Sequence, residues 1–549
     1  MRTAPGDCAL TARLGPPPGF RGSFRSDDLA RALYSEAAGI ARAIPSAIAV
    51  PLDRDDLIRL VRWASDSGVA LIPRGSASSM AGGAVGRGIV VDVSRWRSIG
   101  PVDVNQRLVR AGPGAICSEV DAAARAHGLR LPVDPSSAAF CTIGGMTATN
   151  ASGPHTLAFG SMRRWVRAIE CVFADGSVGE LRRGNPSPDL APLRRFTEAA
   201  TSLATRAQFA AGRHDGVRKD SSGYGIASFA ESGDAVDVLV GSEGTLAFFT
   251  SIEVALLPTA GATSSLLGAF ASLDQAAIAA GRARDLGAVA CELLDRTFVE
   301  IAAVGGLVPV GTGQAEAVLL AEVEGRDLNG AAATARRLAD EFRASGATAV
   351  HLALDAATEK EMWALRHAAS PILARLDPSL CSMQFIEDGA VPPDRLSDYV
   401  LGVRAALDRQ ETRGVVFGHA GDAHVHVNAL VDVTVVGWRD RLNVLLDEVT
   451  GLVSSLGGTI SGEHGDGRLR TPLLDRVWPQ GVRDAFALVK HSFDPAGLLN
   501  PGVKIFVAGE SGAPTIKYDP TLPPLAGNAA GLLKSIERDR GYARFRLDL

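Results

Sequence analysis

The sequence predicts a mixed α/β protein of more than one domain, and three observations carry that expectation. The chain has 549 residues, more than a single hydrophobic core usually supports. Between Ala47 and Asp92 short apolar strands alternate with a helical period. Near residue 265 the composition shifts to Ala- and Arg-rich helical stretches separated by strands, the start of a second α/β region.

Taken in order, residues 1–44 are an N-terminal lead. Ala47-Ile48-Ala49-Val50 is a short strand. From Asp53 to Ser65, Leu57, Leu60, Val61 and Ala64 recur at helical spacing, with Asp53 placed to cap the helix. Val69–Ile72 and Gly88–Asp92 are further strands, joined by a loop of small residues. Val166–Phe173 is a strand followed by the turn Ala174-Asp175-Gly176-Ser177. The weakly charged stretch Val254–Leu273 contains Pro258, Gly261 and Gly268, so it reads as strand, turn and strand and not as a membrane span. Helical stretches follow at Leu273–Leu286 and Ala331–Ala344, and a Pro/Gly-rich tail ends in a basic, helix-like segment.

Composition narrows the function. Hydrophobic residues make up 46% and charged residues 21%, as in an ordinary soluble globular protein. A net charge of −5 gives no reason to expect nucleic acid as a partner. The six cysteines (Cys8, Cys117, Cys141, Cys171, Cys291, Cys381) are scattered without a Cys-x-x-Cys pair. Neither an iron–sulfur site nor a disulfide framework is expected, and reducing cytoplasm is the expected compartment. Arg2, Asp7 and Arg13 interrupt any apolar leader, so no signal peptide is read. No spanning helix is expected, which leaves peripheral membrane contact open.

Chemistry concentrates in two short runs: Gly418-His419-Ala420-Gly421-Asp422-Ala423-His424-Val425-His426-Val427-Asn428 and Ser461-Gly462-Glu463-His464-Gly465-Asp466-Gly467. They hold four of the ten histidines. Imidazoles and a carboxylate on tight backbone are what a divalent metal with an adjacent base requires. Val415–Phe417 reads as a strand ending at His419. Alternation then puts His424, His426 and Asn428 on one strand face. A ligand on the turn, one on that face and Glu463 from a distant loop would close a three-ligand site. The spacing leaves His424 with His426 as a rival ligand pair. For a lone histidine the bland reading is an imidazole bonded to backbone carbonyls; for this set it is disfavoured.

Three glycine- and serine-rich loops precede these runs: Pro73-Arg74-Gly75-Ser76-Ala77-Ser78-Ser79, Pro135-Ser136-Ser137 with Gly144-Gly145 through Thr149, Asn150 and Gly153, and Gly241-Ser242-Glu243-Gly244. Small residues let backbone N–H groups approach a pyrophosphate, though none of the loops is a P-loop or a dinucleotide fingerprint.

The joint order of these motifs, with Leu498-Leu499-Asn500-Pro501-Gly502, resembles the FAD-dependent D-2-hydroxyacid dehydrogenases of the vanillyl-alcohol oxidase/p-cresol methylhydroxylase superfamily. The resemblance spans roughly residues 45–505. It implies an α+β architecture: a two-subdomain FAD-binding (PCMH-type) domain over 45–260 and an α/β cap with a mainly antiparallel sheet over 261–460. A segment 461–510 would return to the flavin, followed by a tail 511–549. It further implies non-covalent FAD held by the three loops and Asn500, and a divalent metal, Zn or Mn, on His419, His426 and Glu463. His464 would be the base, and Arg366 the clamp for the substrate carboxylate, with Ser370 and Asn428 beside it. The partners implied are a small 2-hydroxyacid and an external electron acceptor such as a quinone, an electron-transfer flavoprotein or a cytochrome; a homodimer is compatible. The alternatives are a flavin oxidase of another alcohol or ether-lipid precursor, and a non-catalytic flavoprotein subunit.

Three departures from the family stand out. Ser76, Ala77, Ser78 and Ser79 replace a loop usually richer in glycine. No lysine lies between Leu376 and Leu396, where relatives acting on hydroxyglutarate often have one. Asp220 follows Lys219 where Asn is usual, so that loop is assigned no catalytic role.

Overall fold

Three β-sheets organise the chain. The computed structural model describes residues 14–304, 312–367, 379–507 and 515–549. In the first sheet, Ala47–Val50, Ile89–Asp92 and Leu71–Arg74 run parallel, and Ser23–Arg25 pairs antiparallel at one edge. Helix Arg54–Ser67 buries Leu57, Leu60, Val61 and Ala64 against this sheet. Asp53 caps its start, accepting the Asp56 N–H at 3.0 Å, and Gly68 (φ 64°) ends it. The strand Leu71–Arg74 delivers the chain directly into the first small-residue loop.

The second sheet is antiparallel, in the order Leu108–Ala111, Ala247–Ala255, Val166–Phe173, Val178–Arg182. Its core includes Ile143 and Met146, which fasten the second glycine-rich loop to the sheet.

The third sheet has eight strands, all antiparallel, with Ala262–Phe270, Ala317–Gly325, Ala290–Asp295, Arg413–His419 and His424–Asp432 in its middle. Alternate residues point to opposite faces. Leu266, Leu319, Val416 and Val427 face helices Leu273–Asp285, Leu328–Ala344, Leu396–Arg409 and Trp438–Ser455. Leu267, Val318, Val415 and Phe417 face Arg296–Val304 and Ala356–His367. Burial on both faces explains the nearly unbroken apolar runs of these strands. The expected strand–turn–strand at 254–273 lies within Ala247–Ala255 and Ala262–Phe270, across a change of sheet. No helix among the described residues is long and apolar enough to cross a membrane.

His155 clasps the small-residue loop near Pro135 to the third sheet. Its Nδ1 lies 2.6 Å from Asp134 Oδ2 and its Nε2 3.0 Å from Glu322 Oε1, while the ring stacks on Trp363. Burial disfavours the imidazolium, but the two carboxylates outweigh it and hold the pKa well above the ordinary histidine value. A raised folded-state pKa adds stability that is complete below the unfolded value, roughly 6.5, and is lost as pH rises through the folded value. His155→Gln should therefore lower the thermal midpoint most at pH 6 and progressively less at higher pH; an equal loss at every pH would exclude this clasp.

Candidate active site

The hairpin of the third sheet and the loop Ser461–Gly467 meet at a cavity of about 1180 Å³. His419 ends one strand and His424 begins the next, joined by a tight turn with Ala423 at φ 51°. Gly462 permits the loop to close on the hairpin: a Cβ there would lie 2.6 Å from the His424 ring. Gly465 (φ +81°) turns the loop away over Glu243.

At the meeting point His419 Nε2 lies 3.4 Å and His426 Nε2 3.3 Å from Glu463 Oε1. The opposite atom of each group is anchored. His419 Nδ1 bonds Glu292 Oε1 at 2.6 Å, and His426 Nδ1 donates to the Glu387 carbonyl at 3.0 Å. Glu463 Oε2 accepts from Ser152 Oγ at 2.6 Å and Lys219 Nζ at 2.9 Å. A carboxylate in such surroundings resists burial, but Lys219 and His419 more than offset this and keep Glu463 well below the usual carboxylate range. Tetrahedral coordination with arms near 2.0–2.1 Å would separate its ligands by about 3.3 Å. The three donor atoms therefore fit a divalent cation, and the anchoring of each imidazole is the arrangement that orients metal-ligating histidines. His424, of the rival pair, donates from Nε2 to Asp388 Oδ1 at 2.8 Å and does not line the cavity, yet its Nδ1 is buried without a partner and it shares one cluster with His419, His426 and Glu463, their ligand atoms within 4.8 Å of one another.

Around this set stand the remaining groups. Arg366 lines the cavity over the Phe417 ring, with Nε donating to Glu292 Oε2 at 2.6 Å. Glu292 thus joins Arg366 to His419; burial works against its charge, yet these two neighbours hold its pKa far below the ordinary value. His464 stacks on His426 and bonds Glu387 Oε2 through Nδ1 at 2.7 Å. Burial lowers its pKa, but Glu387 and Asp388 prevail and raise it to about 10. A cation at Glu463 would push the other way. Asn428 also lines the cavity, whereas Ser370 lies outside the described residues.

The three small-residue loops form the opposite wall. Pro73, Gly75, Ser76, Ala77, Ser78, Ser79, Pro135, Gly144, Gly145, Thr149, Gly153, Glu243 and Gly244 all line it. Ala77 occupies the left-handed region (φ 58°), where a glycine would rest without strain. Ser79 Oγ is buried with no protein partner, an orphaned donor facing this cavity. The cavity exceeds the roughly 300–1,000 Å³ of a drug-sized site, and its small-residue wall suits a long dinucleotide.

Other expected cofactor residues are placed differently. Arg74 lines the cavity, but its guanidinium donates to the carbonyls of Tyr34, Ala84 and Glu36. Asn150 and Asn500 do not line it. Asn150 accepts the Arg163 N–H, and Asn500 Nδ2 donates to Gly83 O and Glu243 O, tying two loops together. Glu243 accepts the N–H groups of Asp466 and Gly467 at 2.7 and 2.9 Å, so its carboxylate holds the Glu463 loop in place.

Comparison with known proteins matches two regions of the chain to flavoprotein families. Residues 45–182 match the FAD binding domain family, and residues 260–503 match the C-terminal domain of FAD linked oxidases. Glycolate oxidase subunit GlcD of Bacillus subtilis is 28% identical over 494 residues, 87% of this chain and 93% of that protein. D-lactate dehydrogenase of Archaeoglobus fulgidus is 28% identical over 456 residues, 82% of this chain and 89% of that protein. The structure of p-cresol methylhydroxylase with substrate bound shares the fold, with TM-score 0.64 and 11% identity over 88% of this chain and 94% of that one. The chain belongs to the FAD-linked oxidoreductases.

Several groups in this oxidoreductase's site went unassigned by sequence reasoning. Lys219 lies in the loop assigned no role, yet its ammonium contacts Glu463; the unusual Asp220 beside it pairs with His214 at 2.9 Å. Glu292, Glu387 and Asp388 were not singled out. A signal existed: Glu292 stands between the apolar residues Cys291 and Leu293 in the strand Ala290–Asp295, and Glu387-Asp388 follows Phe385-Ile386. A charge inside an apolar run must have a buried partner. Arg470, 1% exposed, is that partner for Glu387 and Asp388. Replacing Glu292 by Gln should weaken divalent-metal retention roughly 10–100-fold in chelator competition. Unaltered retention would remove Glu292 from the anchoring of His419.

Proposed function

We propose that this oxidoreductase oxidises a D-2-hydroxyacid of the D-lactate or D-2-hydroxyglutarate class to the 2-oxoacid. The observation that carries the reading is the convergence of His419, His426 and Glu463 beside Arg366 and His464, across one cavity from the small-residue loops. In this reading residues 45–260 hold the cofactor, 261–460 form the cap, and 461–510 bring Glu463 and His464 to the junction. FAD, bound non-covalently, would supply the acceptor of two electrons and the α-hydrogen. A divalent cation, zinc or manganese, held by His419, His426 and Glu463, would supply Lewis acidity toward the substrate hydroxyl.

The protein's own groups do the positioning. Arg366 binds the substrate carboxylate, its guanidinium plane set by the Nε bond to Glu292. His464, held through Nδ1 by Glu387, presents Nε2 for the hydroxyl proton. Asn428, one alternation along the strand from His426, borders the same space. The loops around Gly144 and Gly244 exclude water on the far side and fix the cofactor's place relative to Arg366. Electrons then leave to a separate acceptor, a quinone, an electron-transfer flavoprotein or a cytochrome.

The test is anaerobic bleaching of the flavin absorbance by a panel of D- and L-hydroxyacids. Reduction by D-lactate or D-2-hydroxyglutarate, with the L-forms inert, is the expected result; no bleaching by any member would overturn the reading. His464→Ala should keep its flavin and slow bleaching by about 10²–10⁴-fold. Arg366→Lys should raise KM roughly 10–100-fold, the loss of a charge-assisted bidentate contact.

A further inference from the structure

Two of the buried cysteines meet at the wall of the flavin cavity. Ile116 and Thr142 form an antiparallel bridge, which sets Cys117 opposite Cys141, and the Cys117 N–H donates to the Cys141 carbonyl at 3.0 Å. Residues opposed in this way have Cα atoms about 5.5 Å apart, inside the roughly 4.4–6.8 Å that a disulfide spans. The Cys117 thiol donates to the Val133 carbonyl at 3.8 Å. Cys141 lines the cavity and Cys117 lies behind it; they are 5% and 2% exposed. Cys171 and Cys291 are buried too, but their opposed residues are Phe249 and Gly179, and Ala321. Pairing is therefore particular to Cys117 and Cys141 among the described residues.

We propose that Cys117 and Cys141 form a redox-convertible pair that closes to a disulfide when hydrogen peroxide enters the cavity. Cys141 attacks: its thiolate sulfur displaces hydroxide from the O–O bond, leaving a sulfenic acid. Cys117 resolves: its sulfur attacks that of Cys141, the S–O bond breaks, and the second oxygen leaves as water. In sum one peroxide and two thiols give one disulfide and two waters, two electrons passing from sulfur to oxygen. The division of labour agrees with the local electrostatics. The neighbouring Cys117 thiol, opposed by burial and helped by Ser137, draws Cys141 below the usual thiol range, while the neighbouring Cys141 and burial raise Cys117 well above it. The link falls at a sensitive joint. Thr142 caps the helix of the second loop and sits against Gly75 of the first, where an added Cβ would lie 2.5 Å from Thr142 Oγ1.

The test treats the purified flavoprotein with hydrogen peroxide, alkylates it in denaturant and maps peptides without reductant. The expected product joins the peptides carrying Cys117 and Cys141, lighter by two hydrogens than their sum and reversed by dithiothreitol, with Cys171 and Cys291 alkylated in full. Cys117→Ser should leave a dimedone-reactive sulfenic acid on Cys141; Cys141→Ser should leave Cys117 reduced. Full alkylation of both thiols after peroxide, or irreversible oxidation of Cys141 with Cys117 untouched, would overturn the proposal.

Discussion

The buried carboxylate of Glu463 ties four separate parts of the chain to one point. One oxygen faces His419 and His426 of the cap hairpin, and the other accepts from Ser152 of the second flavin loop and from Lys219. A charge removed from water is tolerated only where hydrogen bonds and opposite charge surround it. Meeting that demand forces the FAD-side loops, the cap sheet and the loop Ser461–Gly467 into a single arrangement. The site's geometry and the docking of the cap are in this sense one constraint.

The same logic extends outward. Glu292 sits between His419 and Arg366, Glu387 between His464 and Arg470, and Asp388 between His424 and the N–H groups of Glu463 and His464. His419, Arg366 and His464, which face the cavity, are thus each held from behind by a buried carboxylate. Fully satisfied polar networks of this kind rigidify a core and specify one geometry. The antiparallel sheet supplies the frame, because adjacent strands bring Glu292, His419 and His426 onto neighbouring rungs.

Much of this arrangement was legible beforehand. The period of helix Arg54–Ser67, the strand alternation of His424, His426 and Asn428, and the small-residue loops all follow from local rules of spacing and backbone freedom. The order of the motifs pointed to a flavin enzyme, and the matched domains place the chain among the FAD-linked oxidoreductases. What escaped was the supporting shell. Lys219 was set aside because its neighbour Asp220 is unusual, but the two side chains point to different partners, Glu463 and His214. Glu387 and Glu292 carry no motif at all.

The sequence alone determined which residue types could act and roughly where the chain turns, since helical and strand periods and glycine-rich loops are properties of neighbours in sequence. It could not choose between His419 and His424, which are five residues apart on one hairpin. In the fold the two imidazoles engage Glu292 and Asp388, which lie 127 and 36 positions away from them. Asp388 accepts from the Nε2 of His424, and Glu292 bonds the Nδ1 of His419, whose Nε2 faces Glu463. Such pairings depend on which strands become neighbours in the sheet and which charges are buried together. They exist only once the tertiary structure has formed.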